Sequence, residues 1–386
     1  MNATKRIAIF GSTGSVGKQA LEVIATHPDK FSVEVLTAAT NDELLVSQAL
    51  KFNPNIVVIA DDSRYLRVKE ALKSTDIKVF AGEQSLLDVA SMDCYDMILQ
   101  AIVGYAGLLP TIKAIEAGKP IALSNKETLV VAGDLVMAMA AARQVPIIPV
   151  DSEHSAIFQC LMGEGRNKIE KIILTASGGP FRGKKPNFLV NVKRDHALDH
   201  PNWKMGAKIS IDSATLINKG LEMIEAKWLF NLRPEQIEVV VHTQSIIHSM
   251  VQFDDGAIKA QMGLPDMRLP IQYALGFPQR LPNSYPRYDF RHPCELTFEE
   301  PDYKTFRNLS LAIEAMKKGG NMPCILNAAN EIAVYAFLKN RIGFLDITDV
   351  IEQSMTKVKF IETPSLEDYI DSDGEARSFA ASLVHL

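Results

Sequence analysis

The sequence predicts an α/β protein: a doubly wound parallel sheet first, an α+β domain next, and a helical C-terminal domain. Three observations predict it. Short apolar runs alternate with longer segments of helical spacing over the first 150 residues. A glycine-rich turn, Gly11 to Gly17, follows the first of those runs. From Tyr303 onward only helical spacing remains. A length of 386 residues suggests two or three domains.

The elements follow in order. Ile7–Phe10, Val33–Ala38, Ile56–Ala60, Met97–Ile102, Ile121–Leu123 and Ile147–Val150 read as strands, with Lys18–Thr26, Glu43–Lys51 and Leu108–Ala117 among the helices between them. Such alternation implies parallel pairing through right-handed crossovers. After Val150 the rhythm changes. A helix is expected near His154, a strand at Ile169–Thr175, and a Gly-Gly-Pro loop at 178–180. Residues 187–208 are polar and aperiodic, and a single helix is expected from Ala214 to Leu229. Val239–Val241 and Ile246–Phe253 read as strands, the latter turning through Asp254-Asp255-Gly256 into Ala257–Met262. Helices are expected at Phe306–Lys318, Ile325–Lys339, Ile347–Lys357 and Leu366–Val384, with Pro323 and Pro364 marking starts. The expected division is 1–150, 151–280, a linker at 281–302, and 303–386.

Composition excludes several classes. With 47% hydrophobic and 23% charged residues, the chain is neither disordered nor fibrous. A net charge of −5 argues against a broad nucleic-acid surface. Cys94, Cys160, Cys294 and Cys324 form no C-x-x-C pair, so neither a zinc site nor a disulfide framework is expected, and a reducing cytoplasm is. The stretch from Leu129 to Ala142 is about 14 residues, short of the roughly 20 that a membrane span needs. The first residues read as a strand, not a signal peptide.

The Gly11-Ser-Thr-Gly14-Ser-Val-Gly17 turn has the strand-to-helix context of a dinucleotide pyrophosphate site, in a G-x-x-G-x-x-G variant of the usual spacing. Residues 37–41, Thr-Ala-Ala-Thr-Asn, carry neither the acid of an NAD site nor the base of an NADP site. Asp151 and Glu153 would lie on one side of an extended strand and could chelate Mg²⁺ or Mn²⁺; the alternative is a helix start capped by Asp151 or Ser152. Asn218, Lys219 and Glu222 share a helix face suited to a phosphate and a metal, or form a solvated polar face. Asp199 to Gly206, with Trp203, reads as a lid or a packed Ω-loop. Ser124-Asn125-Lys126-Glu127 follows a strand at the ligand edge of the sheet, or simply caps a helix. Ser177-Gly178-Gly179 offers N–H groups to an anion, or forms a tight turn. His248, Cys160 and Cys324 read as core residues.

Together these segments resemble the 1-deoxy-D-xylulose 5-phosphate reductoisomerase family. The resemblance runs through Gly-Ser-Thr-Gly-Ser-Val-Gly at 11–17, Ser-Asn-Lys-Glu at 124–127 and Pro-Val-Asp-Ser-Glu-His-Ser at 149–155. It continues through Ala-Ser-Gly-Gly-Pro-Phe at 176–181, His-Pro-Asn-Trp-Lys-Met-Gly at 200–206, Asp-Ser-Ala-Thr-Leu-Ile-Asn-Lys-Gly-Leu-Glu at 212–222, and Asn-Ala-Ala-Asn-Glu at 327–331. It implies a cytoplasmic homodimer that uses NADPH and Mg²⁺ or Mn²⁺ on a sugar phosphate, with no nucleic-acid or membrane partner. The first domain would be a Rossmann-type NADPH domain and 151–280 the catalytic and dimerisation domain.

By the same resemblance, Asp151, Glu153 and Glu222 hold the metal. Ser177, Ser213, Asn218 and Lys219 grip the phosphate, with Ser152, Lys126, Glu153, Glu222 and His200 also on the substrate. Lys126, Glu153 and His200 would be catalytic, and either Lys126 or Glu153 would move the proton. Thr13, Gly14, Ser15, Val16, Ala39, Asn41, Asn125, Glu127 and Gly206 line the cofactor. The family often carries a Lys or Arg where this chain has Thr40. The implied route is a retroaldol–aldol rearrangement followed by hydride transfer to a branched aldehyde, so both fragments must stay bound until they rejoin. A semialdehyde-type dehydrogenase with a cysteine nucleophile, or a non-catalytic nucleotide sensor, are the competing expectations.

Overall fold

The computed structural model describes residues 4–199, 205–292 and 294–385. They form two compact units, each discontinuous in sequence: Met1–Thr128, Val136–Ser155 and Asp266–Tyr285 in the first, and Leu129–Leu135, Ala156–Pro265 and Pro286–Leu386 in the second.

The first unit is built on seven parallel strands, β1 (Lys5–Phe10), β2 (Phe31–Ala38), β3 (Ile56–Ile59), β4 (Lys78–Ala81), β5 (Met97–Gln100), β6 (Ile121–Leu123) and β7 (Ile147–Pro149). Their order is β4-β3-β2-β1-β5-β6-β7. The chain builds outward from β1 on one side, then returns to start the other half at β5, which places a topological switch point between β1 and β5. Ile7, Ala8, Ile9 and Phe10 are fully buried because helices cover both faces. Burial of each large side chain there contributes roughly 1.5–3 kcal/mol. The first helices are α1 (Ser15–Thr26), α2 (Asp42–Phe52), α3 (Tyr65–Ala71), α4 (Gly82–Ala90), α5 (Leu108–Glu116), α6 (Lys126–Ala142) and α7 (Ser152–Cys160). In α1, Gly17, Ala20, Leu21 and Ile24 recur at i, i+3, i+4 and i+7 and bury one stripe. Non-helical angles at Ala132 interrupt α6, within the stretch that belongs to the second unit.

In the second unit β8 (Ile169–Ala176), β9 (Ile237–Val241), β10 (Ile247–Phe253) and β11 (Ile258–Met262) form a sheet in the order β11-β10-β8-β9. The β10–β11 hairpin closes where expected: Gly256 takes φ +83° and Asp255 accepts from the Ala257 N–H at 2.9 Å. Helices α8 (Pro186–Leu189), α9 (Arg194–Leu198), α10 (Ala207–Ala214) and α11 (Ile217–Leu229) precede β9. The chain then returns to the first unit as α12 (Arg268–Gly276), where Gln272 meets the His27 ring at 3.2 Å and the Leu275 carbonyl accepts from Lys5 at 2.7 Å. The helical end follows as α13 (Arg307–Lys318), α14 (Met322–Leu338), α15 (Asp346–Lys357) and α16 (Leu366–Leu383). Helix α14 is buried along nearly all of Met322–Asn330 and packs against α10, α13, α15 and α16.

The backbone corrects three sequence expectations and adds elements that the sequence did not signal. Strand β7 ends at Pro149 and α7 starts at Ser152, so Asp151 and Glu153 do not lie on one face of a strand. The Ser155 N–H bonds the Asp151 carbonyl at 2.8 Å, as at a helix start. The expected helix at 214–229 is two helices, broken at Leu216, which adopts φ +60°. The polar stretch at 187–208 holds most of α8, all of α9 and the start of α10. Strand β4 and helices α3, α4 and α12 carried no recognised sequence signal. His248, Cys160 and Cys324 are buried, as expected.

Gly220 gives a test of how α11 packs. A Cβ there would lie 2.3 Å from the Ala312 Cβ on α13, a distance no carbon pair adopts. Gly220→Ala is expected to force the helices apart and lower unfolding stability by about 1–3 kcal/mol in urea titration; an unchanged midpoint would contradict this packing.

Candidate active site

In the first unit the glycine turn sits at the carboxyl end of β1, at the switch point. Gly11 has φ +89°, and a Cβ on it would lie 2.5 Å from the Ala101 carbonyl oxygen. A Cβ on Gly17 would come within 2.3 Å of the Gly11 carbonyl oxygen and 2.5 Å of Ser12 Cα. Only glycine lets α1 start this close to the strand. Two neighbours fix the loop: Thr37 of β2 accepts from the Gly11 N–H at 3.0 Å, and Gln48 of α2 donates to the Ser12 carbonyl at 2.9 Å. Gly14 occupies the N-cap of α1 with no side-chain cap, so the loop Thr13–Val16 leads into a helix N-terminus able to receive an anion.

Ala39, Thr40 and Asn41 are exposed, and Asn41 caps α2 by accepting from the Leu44 N–H at 3.1 Å. Sequence reasoning missed the cations beside this segment. Arg64 reaches Asp42 at 2.6 Å and Asp61 at 3.0 Å, and Arg67 reaches Asp42 at 3.1 Å. The Arg64 guanidinium holds the Asp42 carboxyl below its usual range. The signal was present as two arginines after β3, but only the pairing of β2 with β3 brings them to α2.

Asn125 is almost fully buried and clamps the loop after β5: its amide donates to the Ile102 and Gly104 carbonyls at 2.7 and 2.9 Å, while its oxygen caps α6 at the Thr128 N–H. The amide half thereby holds the loop and the oxygen half the start of α6. Glu127, also buried, accepts from Asn125 at 3.1 Å. Lys126 lies against Asp151 at 2.6 Å, and both are largely out of water. Ser152 Oγ donates to Glu153 at 2.6 Å. The first unit therefore places Lys126, Asp151, Ser152 and Glu153 at the carboxyl ends of β6 and β7, the edge where doubly wound sheets bind ligands.

The second unit carries the remaining candidates. Ser177 follows β8 and accepts from the Gly179 N–H at 3.3 Å. Gly178 and Gly179 both take positive φ, and a Cβ on Gly179 would lie 2.7 Å from the Ser213 carbonyl oxygen. That approach brings the Ser177 loop onto α10. From Ser213 the chain turns through Leu216, whose N–H bonds back to the Ser213 carbonyl at 3.2 Å, and enters α11 at Ile217. Asn218 donates to Glu222 at 2.5 Å, and Lys219 forms an ion pair with the same carboxylate. Lys219 and Glu222 are 5% and 2% exposed, so this is not the solvated pair that helical spacing alone allows. Gly206 is the N-cap of α10. His200 and Trp203 lie outside the described residues.

The competing nucleophile is poorly placed. Cys160 is buried on α7 and its thiol is pushed up by desolvation, the opposite of what a reactive thiolate requires.

Three family models match successive parts of the chain. One for 1-deoxy-D-xylulose 5-phosphate reductoisomerase matches residues 7–133, one for that enzyme's C-terminal domain matches 147–230, and a second C-terminal model matches 262–379. The reductoisomerase of Phocaeicola vulgatus is 60% identical over 380 residues, covering 98% of this chain and 99% of that protein. That of Bacteroides thetaiotaomicron is 58% identical over 383 residues, covering 99% and 98%. Among solved structures, the Zymomonas mobilis reductoisomerase in complex with NADPH superposes with a TM-score of 0.91 at 44% identity, covering both chains fully. A reductoisomerase bound to NADPH, fosmidomycin and magnesium superposes with a TM-score of 0.94 at 38% identity, covering 99% of this chain and 98% of that one. This chain belongs to the 1-deoxy-D-xylulose 5-phosphate reductoisomerase family.

Proposed function

We propose that the chain converts 1-deoxy-D-xylulose 5-phosphate into 2-C-methyl-D-erythritol 4-phosphate, using NADPH and Mg²⁺ or Mn²⁺. The observation that carries this reading is the buried Lys219–Glu222 pair with the half-buried Asn218 beside it, in a chain that also holds a glycine cradle too tight for any side chain. The cradle fits a pyrophosphate, and an all-oxygen donor set of carboxylates fits a hard divalent cation.

Asp151, Glu153 and Glu222 are the ligands we assign to the metal. A divalent cation supplies Lewis-acid stabilisation of charge on the substrate's carbonyl and neighbouring hydroxyl oxygens, and NADPH supplies the hydride. Ser177, Ser213, Asn218 and Lys219 bind the phosphate, the serines and amide as donors and Lys219 as the charge. Lys126, Ser152 and His200 lie along the sugar. Lys126, already donating toward Asp151, is suited to give a proton, whereas Glu153, accepting from Ser152, is suited to take one. Thr13, Gly14, Ser15 and Val16 cradle the pyrophosphate, with Asn125, Glu127 and Gly206 along the cofactor. Ala39 and Asn41 receive its 2′-phosphate at the start of α2, where Arg64 and Arg67 are the neighbouring cations.

We assign NADPH binding to residues 1–150, catalysis and homodimer formation to 151–280, a linker to 281–302 and a supporting helical domain to 303–386. The four cysteines are unpaired thiols, which supports a reducing cytoplasm. Among the described residues no helix is long and apolar enough to cross a membrane.

Three variants test the assignment. Glu222→Gln is expected to lower kcat/KM more than about a thousandfold while NADPH affinity changes little; near-normal turnover removes Glu222 from the mechanism. Lys219→Ala should raise KM for the sugar phosphate, and an unchanged KM contradicts a phosphate role. Gly17→Ala should weaken NADPH binding about tenfold or more in fluorescence titration, because a Cβ there must displace the loop backbone. Wild-type affinity in that variant would separate the cradle from the cofactor.

A further inference from the structure

The Asn-Ala-Ala-Asn-Glu run at 327–331 has no part in the chemistry above, yet it places two amides in the middle of the most buried helix. Asn330 on α14 is fully buried and donates to Asp212 Oδ1 on α10 at 2.9 Å. Asp212 is 1% exposed, and its other oxygen meets Lys208 one helical turn earlier at 3.0 Å. Asp212 immediately precedes Ser213, whose carbonyl receives both the close approach of Gly179 and the Leu216 N–H. Thr215 Oγ donates to the carbonyls of Ile211 and Asp212 at 3.2 Å each, closing the same turn.

The amide is an expensive choice for packing alone. Among the described residues Asn330 Oδ1 is buried without a hydrogen-bond partner, and such a group costs about 1–3 kcal/mol. A leucine of similar volume would remove that orphaned oxygen but would also strip the buried Asp212 Oδ1 of its donor. Asn330 therefore serves orientation: with Lys208 it fixes which way the Asp212 carboxylate faces and so the rotation of the last turn of α10. That turn sets Ser213 and the corner at Leu216, and the corner sets where α11 presents Asn218 and Lys219. Beside it, Asn327 donates to Glu331 at 3.0 Å, and Arg377 of α16 joins Glu331 at 2.7 Å and Asp373 at 2.6 Å. A second charged cluster thus ties α14 to α16.

We infer that Asn330 is a positioning residue for the phosphate-binding corner, acting through Asp212 on Ser213, Asn218 and Lys219. This rests on the phosphate role proposed above for that corner. The test is calorimetric binding of 1-deoxy-D-xylulose 5-phosphate to the full chain without cofactor, alongside steady-state kinetics and NADPH titration. Asn330→Leu should weaken sugar-phosphate binding about tenfold, the scale of one hydrogen bond to a charged group. KM should rise by more than kcat falls, with NADPH affinity unchanged. Should Asn330→Leu fail to fold, Asn330→Asp and the exchanged pair Asp212→Asn with Asn330→Asp provide the same comparison. The first sets two carboxylates against each other; the second restores one donor facing one acceptor and should recover most of the lost affinity. Undiminished sugar-phosphate binding in Asn330→Leu, or an exchanged pair that folds yet binds no better than Asn330→Asp, would overturn the inference. Lys219→Ala separates the two levels. If it weakens binding and Asn330→Leu does not, only the positioning role fails; if neither changes it, the phosphate assignment itself has failed.

Discussion

Asp151, Asp212 and Glu222 are carboxylates withdrawn from water, and each is matched to a lysine: Lys126, Lys208 and Lys219. An unmatched buried carboxylate would simply take up a proton and lose its charge. Two of the pairs are local, at i,i+4 on α10 and i,i+3 on α11, so each helix carries its own neutralisation. The third joins the first turn of α6 to the residue before α7, across the ends of two adjacent strands. Buried ion pairs of this kind are weak sources of stability, because desolvation offsets much of their attraction. Their presence is better explained by orientation, since each lysine fixes the direction of the carboxylate it meets.

The same requirement explains the shape of the second unit near Leu216. A continuous helix from Ala207 to Leu229 would point Ser213 and Lys219 in directions fixed by 100° steps. The break lets α10 and α11 turn independently, so that one lysine–acid pair sits on each side of the corner. In the first unit the corresponding constraint is steric. Gly11 and Gly17 allow the β1–α1 turn to collapse onto itself, which exposes the N-terminus of α1 at the switch point of the sheet.

The strands of the first unit were legible because their buried runs are continuous and β-branched, and the C-terminal helices because their apolar spacing is long and regular. Strand β4 escaped notice because it is a four-residue edge strand with alternate residues exposed. Helix α12 was masked by Pro270 in its first turn, although Asp266 accepting from the Arg268 N–H is an ordinary start signal. The left-handed turn at Leu216 has no local signature, since leucine rarely adopts it and tertiary contacts impose it. The glycine loop and the polar blocks at 124–127, 151–153 and 212–222 could be read as candidate chemistry from residue types. Their burial could not. Whether Lys219–Glu222 is a surface pair or a dry one depends on α13 packing over Gly220, which involves residues about ninety positions away.

The central claim is that the Asp151, Glu153 and Glu222 carboxylates serve a metal-dependent reductive rearrangement. It is tested most directly by following NADPH absorbance at about 340 nm, the usual readout of hydride transfer, with 1-deoxy-D-xylulose 5-phosphate after complete metal chelation and again after adding Mn²⁺. The account predicts no oxidation without metal and full turnover with it, yielding the branched polyol phosphate. Undiminished oxidation in the chelated protein would contradict it.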